Sequence, residues 1–165
     1  MATITFKGNP THTSGELPAK GKPAPDFSLT GTDLGEVTLK KFKGKNVILN
    51  IFPSLDTSVC AASVRKFNAE ASSHPNTVVL CISKDLPFAH KRFCTTEGLE
   101  KVISASQYKD ENFGKAYGVL MTDGPLAGLF SRAVVLVDEQ GLVKYTEQVP
   151  EIAQEPDYAA ALMAL

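Results

Sequence analysis

The run Val47-Ile48-Leu49-Asn50-Ile51-Phe52 constrains this chain more than any other stretch of it. All but Asn50 are apolar, and they do not alternate with polar residues. Such a run has no side to offer to water, so it reads as a strand covered on both faces. Pro53 carries no N–H for a ladder and closes it. Val78-Val79-Leu80-Cys81-Ile82 has the same character. Strands of this kind need helices packed above and below, and the chain supplies them. Over residues 59–73, Cys60, Val64, Phe67 and Ala71 recur at steps of four, three and four and so share one helical face. Residues 87–95 read as a short helix with Pro87 in its first turn, and residues 111–117 as another. Glu155-Pro156-Asp157 opens a last helix, with Tyr158, Ala161, Leu162 and Leu165 on its inner side.

Weaker strands complete the pattern. Thr3-Ile4-Thr5-Phe6 alternates polar and apolar, Gly8-Asn9-Pro10 reads as a turn, and a polar strand is expected over residues 11–14. Residues 1–16 therefore form a hairpin extension. Residues 17–25, rich in Pro, Gly and Lys, read as surface linker. Phe27-Ser28-Leu29 and Val37-Thr38-Leu39 flank a turn, and Val102-Ile103 is a short strand. Ala133-Val134-Val135-Leu136-Val137 and Leu142-Val143-Lys144-Tyr145 are joined by the Asp138-Glu139-Gln140-Gly141 turn. Strands alternating with helices indicate α/β layering, and the closing hairpin makes the sheet mixed. A chain of 165 residues can bury one good core, so a single domain over residues 1–165 is expected.

Charge excludes some partners. Lys and Arg number 17 against 18 Asp and Glu, and they are spread along the chain. Nucleic acid calls for a clustered basic footprint, which is missing. No apolar stretch approaches the roughly 20 residues that span a bilayer, so no membrane partner is expected. Residues 1–8 lack the charged-then-apolar build of a secretory signal. A cytoplasmic site follows as the expectation, with the periplasm as the alternative. Three cysteines are too few for a disulfide-stapled domain, and neither CxxC nor a zinc-spaced Cys/His cluster occurs. No metal and no cofactor are expected.

The chemistry concentrates at Cys60. The loop Pro53-Ser54-Leu55-Asp56-Thr57-Ser58-Val59 leads from the buried strand into a helix and leaves Cys60 in its first turn. Unpaired N–H groups and the positive end of the helix dipole favour an anion there, so the thiol pKa is expected to be lowered. Thr57 can put a hydroxyl beside the sulfur, and Pro53 can wall the pocket from water. A low pKa alone does not make a fast nucleophile. Dropping a thiol from about 8.5 to about 6 raises its thiolate fraction at pH 7 roughly 30-fold. Over that drop, nucleophilicity falls on the order of tenfold. The remainder must come from donors aimed at the electrophile in the transition state. Thr57, the N–H groups near Val59 and Cys60, and an arginine are the candidates. Arg132, at the mouth of the strand over residues 133–137, is the first choice, although a strand-end arginine is commonly a surface group. Arg65, more than a turn along the helix from Cys60, is its rival.

Pro53, Thr57 and Cys60 stand in the spacing Pro-x3-Thr-x2-Cys, the peroxidatic motif of the peroxiredoxins. The runs 50–54, 59–68, 78–83, 85–89, 92–94, 116–119, 123–126 and 155–158 extend the likeness over nearly the whole chain. The chain resembles the atypical two-cysteine peroxiredoxins of bacteria. That resemblance implies a thioredoxin-like fold: a mixed central sheet flanked by helices, with an N-terminal β-hairpin. It implies Cys60 as peroxidatic cysteine, Cys94 as resolving cysteine of the same chain, and Arg132 as the active-site arginine. It also implies a homodimer, reduction by thioredoxin, and hydroperoxide substrates, with alkyl hydroperoxides preferred to hydrogen peroxide.

Other residues admit plainer roles. Cys81 lies within a buried strand and reads as a small inert hydrophobe. His90 and Cys94, spaced i, i+4, read as a solvated polar face rather than a base–thiol pair. Phe88, Phe93 and Phe113 are expected in the core rather than at a substrate mouth. Residues 124–130 are assigned to the pocket rim or a dimer surface. The charge runs Lys40-Lys41-Phe42-Lys43 and Tyr108-Lys109-Asp110-Glu111 read as solvated turns. Two competing functions are a thiol–disulfide oxidoreductase, which normally carries CxxC, and a binding or holdase protein switched by a Cys60–Cys94 disulfide.

Overall fold

A computed structural model describes residues 1–71, 73–109 and 111–165. Ser72, in the expected first long helix, and Asp110, in the charge run 108–111, lie outside the described residues. The elements in chain order are β1 (Thr3–Phe6), β2 (Asn9–His12), β3 (Ser28–Gly31), β4 (Glu36–Thr38), β5 (Asn46–Ile51), α1 (Ser58–Ala71), β6 (Thr77–Ser83), α2 (Pro87–Glu97), β7 (Ile103–Ser106), α3 (Asn112–Ala116), β8 (Ala133–Val137), β9 (Val143–Gln148) and α4 (Tyr158–Met163). A short 3-10 turn, Leu39–Phe42, takes up most of the first lysine run.

Among the described residues seven strands form the main sheet in the order β4-β3-β7-β6-β5-β8-β9, and β1 and β2 pair as a separate hairpin. β5, β6 and β7 are parallel, while β8 runs antiparallel to β5 and β9 antiparallel to β8. The central strand β5 is buried from Val47 to Ile51, as its unbroken apolar run requires. One core layer gathers Leu49, Ile51, Leu80, Ile82, Val135 and Phe113, and the other gathers Ile48, Cys60, Val64, Phe67, Val134 and Leu136. Alternate residues of β5 and β8 thus face opposite layers.

Three local expectations are corrected. The hairpin turn is Lys7-Gly8, with φ of 51° and 79°, so Asn9 and Pro10 belong to β2. Two consecutive left-handed residues match the twist of the strands they join. The strand expected at residues 102–103 covers 103–106, where Ser104, Ala105 and Ser106 are buried but carry no apolar signal. The last helix starts at Tyr158 with Asp157 as its cap, the carboxylate accepting the Ala160 N–H at 3.0 Å.

Sheet register decides what meets at one edge. Ile51 at the end of β5 lies opposite Ala133 at the start of β8, and Ala133 lies opposite Gln148 at the end of β9. The residues after β5, before β8 and after β9 therefore converge. β1 closes the same region, with Thr5 bridged to Glu151.

Candidate active site

Cys60 sits in the first turn of α1 with its side chain fully buried. The one fully buried polar residue of β5 explains how the turn is held. Asn50 Nδ2 donates to Ser63 Oγ at 3.2 Å, and Ser63 donates to the Cys60 carbonyl at 2.8 Å. The sulfur meets Arg132, whose Nη2 donates to Sγ at 3.3 Å. Arg132 is only 1% exposed, so it is no surface arginine. Its Nε donates to the Ile152 carbonyl at 2.9 Å. Among the described residues its buried Nη1 has no hydrogen-bond partner, so one strong donor is left uncommitted.

A cavity of about 170 Å³ reaches Arg132 and the residues before Cys60, while the Cys60 side chain is buried behind its lining. Thr57, Ser58 and Arg132 give its lining polar side chains, and Phe6, Pro53, Leu126, Leu129 and Ile152 make the rest of the wall apolar. The structure thus brings Pro53, Thr57, Cys60 and Arg132 together. Thr57 departs from expectation in one respect. Its hydroxyl is turned back on the loop and donates to the Ser54 carbonyl at 3.0 Å instead of resting on the sulfur. Arg65, the rival arginine, is engaged elsewhere, with Nε and Nη2 on the Glu97 carboxylate at 3.1 and 2.9 Å and its guanidinium over the Phe93 ring.

Cys94 does not line the cavity. It lies near the end of α2, half-buried, with Sγ 3.5 Å from Ser104 Oγ, and all three cysteines are free thiols. Cys81 is fully buried, and burial pushes its thiol up to about 12. A thiol so held stays protonated and inert. His90 belongs to no solvated face, contrary to expectation. It is fully buried, with Nε2 3.0 Å from Ser83 Oγ, and burial holds its imidazole down to about 4 against the opposing pull of Asp85. Of the phenylalanines considered, Phe113 is core, Phe93 is half-buried between α1 and α2, and Phe88 is exposed. None lines the Cys60 cavity, whose aromatic wall is Phe6 from the hairpin. Among the described residues no cluster of three His, Cys, Asp or Glu could hold a metal ion. No helix of the described residues is long and apolar enough to cross a membrane.

Two contributors escaped the sequence reading. Glu151 accepts the Thr5 hydroxyl and the N–H groups of Lys7, Gly8 and Ala153, which clamp the hairpin beside Ile152. These donors, Thr5 foremost, hold its carboxyl down to about 2. Asp85 accepts from the Pro53–Thr57 loop through Ser54 Oγ and the Leu55 N–H. Its signal was its place just past a buried strand parallel to β5, on the edge where open α/β sheets gather their ligands.

A mixed sheet that sets a buried cysteine at a helix start against a guanidinium defines a redox protein of the thioredoxin-like class, and residues 19–162 match the Redoxin family, to which the chain belongs. The particular branch follows from its relatives. The thiol peroxidase of Mycobacterium tuberculosis strain H37Rv is 59% identical over 165 residues, covering 100% of this chain and 99% of that protein. The thiol peroxidase of Corynebacterium glutamicum is 55% identical over the same coverage. A peroxiredoxin-like protein from Aquifex aeolicus superposes with a TM-score of 0.92 at 36% identity, covering 99% of this chain and 96% of that one. The chain is an oxidoreductase with thiol-dependent peroxidase activity.

Proposed function

We propose that Cys60 is the attacking sulfur of a two-cysteine peroxidase cycle that takes hydrogen peroxide and, preferentially, alkyl hydroperoxides. The Cys60 thiolate attacks the terminal oxygen of ROOH. An S–O bond forms, the O–O bond breaks, and the sulfur gives two electrons. The alkoxide leaves, takes up a proton and becomes an alcohol, while Cys60 becomes a sulfenic acid. Arg132 holds the sulfur through Nη2 and offers Nη1 to the oxygens as charge develops on them. The first-turn N–H groups complete the donor set, Thr57 joins it once its hydroxyl swings from the Ser54 carbonyl to the substrate, and Pro53 shields it. The apolar wall of Phe6, Leu126, Leu129 and Ile152 suits an organic R group better than water. The single observation that carries this reading is the buried Arg132–Cys60 hydrogen bond at 3.3 Å.

Cys94 then attacks the sulfenic sulfur, forming the disulfide as hydroxide leaves and is protonated to water. Thioredoxin supplies two electrons to reopen it. Cys60 and Cys94 both sit in helices, while a disulfide needs its Cα atoms within about 4.4–6.8 Å. The first turn of α1, or α2, or both unwind in this step. We place the activity in the cytoplasm, as a homodimer, with residues 1–165 working as one unit. A cytosolic reducing pool suits a cysteine that must be recycled.

Peroxide consumption coupled to thioredoxin and its reductase tests the cycle. Cys60→Ser abolishes it. Cys94→Ser loses turnover but keeps one round of oxidation, and Cys81→Ser changes little. Full activity in Cys60→Ser refutes the assignment. A wild type that stops after about one equivalent of peroxide favours a redox switch instead.

A further inference from the structure

We infer that Asp85 is a positioning residue for peroxide reduction: its carboxylate sets the conformation of residues 53–57, and with it the donors around Cys60. The inference rests on reading Cys60 as the attacking sulfur. The parallel pairing of Ile51 with Ile82 brings the residues after β6 alongside those after β5. The last rung is the Phe52 N–H on the Ile82 carbonyl at 3.1 Å. Beyond it Pro53 ends the ladder, so the loop must be held by other means.

Asp85 holds it. Oδ1 accepts the Ser54 hydroxyl at 2.8 Å, and Oδ2 accepts the Leu55 N–H at 2.9 Å and the Ser83 hydroxyl at 2.6 Å. Three donors converge on one group, which only an acceptor on both oxygens can satisfy. Ser54 passes the constraint on. Its carbonyl accepts both the N–H and the hydroxyl of Thr57, and its hydroxyl oxygen accepts the Asp56 N–H at 3.2 Å. Thr57 in turn accepts the Ala61 N–H on its carbonyl and starts the helix that carries Cys60. Asp85 is itself anchored, since its carbonyl accepts the Ser106 hydroxyl of β7 and its N–H donates to Ser83 Oγ at 3.1 Å. Ser83 spends its proton on Asp85, so His90 meets it as an Nε2–H donor. The network therefore also ties α2, the helix of Cys94, to the Cys60 loop.

Two rates separate positioning from general damage. Alkylation of Cys60 by iodoacetamide needs the nucleophile alone, whereas oxidation by cumene hydroperoxide also needs donors aimed at the oxygens. Both are measured in a Cys81→Ser, Cys94→Ser background so that only Cys60 reacts. Asp85→Asn turns an N–H2 toward one of the three donors. Its oxidation rate is expected to fall about 10- to 100-fold, with alkylation changed less than about threefold. Oxidation at the background rate, or an equal fall in both rates, overturns the inference. If Asp85→Asn does not fold, Ser54→Ala removes one donor and reads the same ratio. About a three- to tenfold loss of oxidation alone is expected there, and an unchanged ratio overturns it. A background protein inert to the hydroperoxide sinks the reading of Cys60, and this inference with it. A reactive background with an equally reactive Asp85→Asn sinks the positioning role alone.

Discussion

Arg132→Lys keeps the charge beside Cys60 and removes the fork. In the structure Nε serves the Ile152 carbonyl, Nη2 the sulfur, and Nη1 has no partner among the described residues. A lysine has one nitrogen and cannot span these three directions at once. If it stays on the sulfur, the donor facing the peroxide oxygens is lost. One such donor is worth about 3–4 kcal/mol in the transition state, which at about 1.4 kcal/mol per decade is roughly 10²- to 10³-fold in rate. The ground state loses less, about 1.5–3 kcal/mol for a hydrogen bond from a charged group. Stopped-flow oxidation by cumene hydroperoxide at 25 °C, where the variant remains folded, measures the loss. A melting curve supplies the control. Oxidation within about threefold of wild type leaves less than about 1 kcal/mol for the donor, and refutes the role given to the guanidinium.

Burial of neutral His90 makes stability depend on pH. Its folded pKa of about 4 lies below the usual value for histidine, so the unfolded chain binds more protons between about pH 6.5 and 4. The contribution is present above that window and is lost as pH falls, about 2 kcal/mol of it by pH 5. Urea midpoints at pH 7 and pH 5 should therefore converge more closely in His90→Gln than in wild type, and an equal drop in both refutes the assignment. Gly118→Ala should cost about 2–4 kcal/mol. Its φ is +67° and an added Cβ would lie 2.3 Å from the Glu16 carbonyl oxygen; thermal unfolding checks this. Glu97→Gln frees Arg65 from α2, so the Cys60–Cys94 disulfide should form faster after peroxide, with little change in melting temperature. Quench-flow alkylation reads the rate, and a slower disulfide would show that the pair assists closure instead of restraining it.

The buried strands were plain in the sequence because β5, β6 and β8 carry apolar runs with no exposed face. α1 was plain because its buried residues fall on one helical stripe. The sequence marks only the start of β7, because Ser104, Ala105 and Ser106 are buried by their neighbours rather than by their own hydrophobicity. Cys60, Pro53 and Thr57 stood out because they are local in sequence. Arg132 was placed by its strand mouth, but only the antiparallel register of β5 and β8 puts it on the sulfur. Asp85 and Glu151 gather hydroxyls and backbone N–H groups that only the folded sheet brings together, which no side-chain pattern announces. His90 is polar yet buried, because Ser83 gives its ring a partner that the sequence pattern does not reveal.

The first residues of a domain are often loosely held, and here they are tied into the site. β1 is bridged to Glu151, one residue from the carbonyl that fixes the Arg132 guanidinium, and Phe6 walls the cavity beside it. A protease nick at the Lys7-Gly8 tip, or a bulky amino-terminal fusion tag, would therefore be felt at the sulfur although neither touches it. Slower oxidation of protein tagged at that end than of the untagged form, at an unchanged melting temperature, is the expected sign.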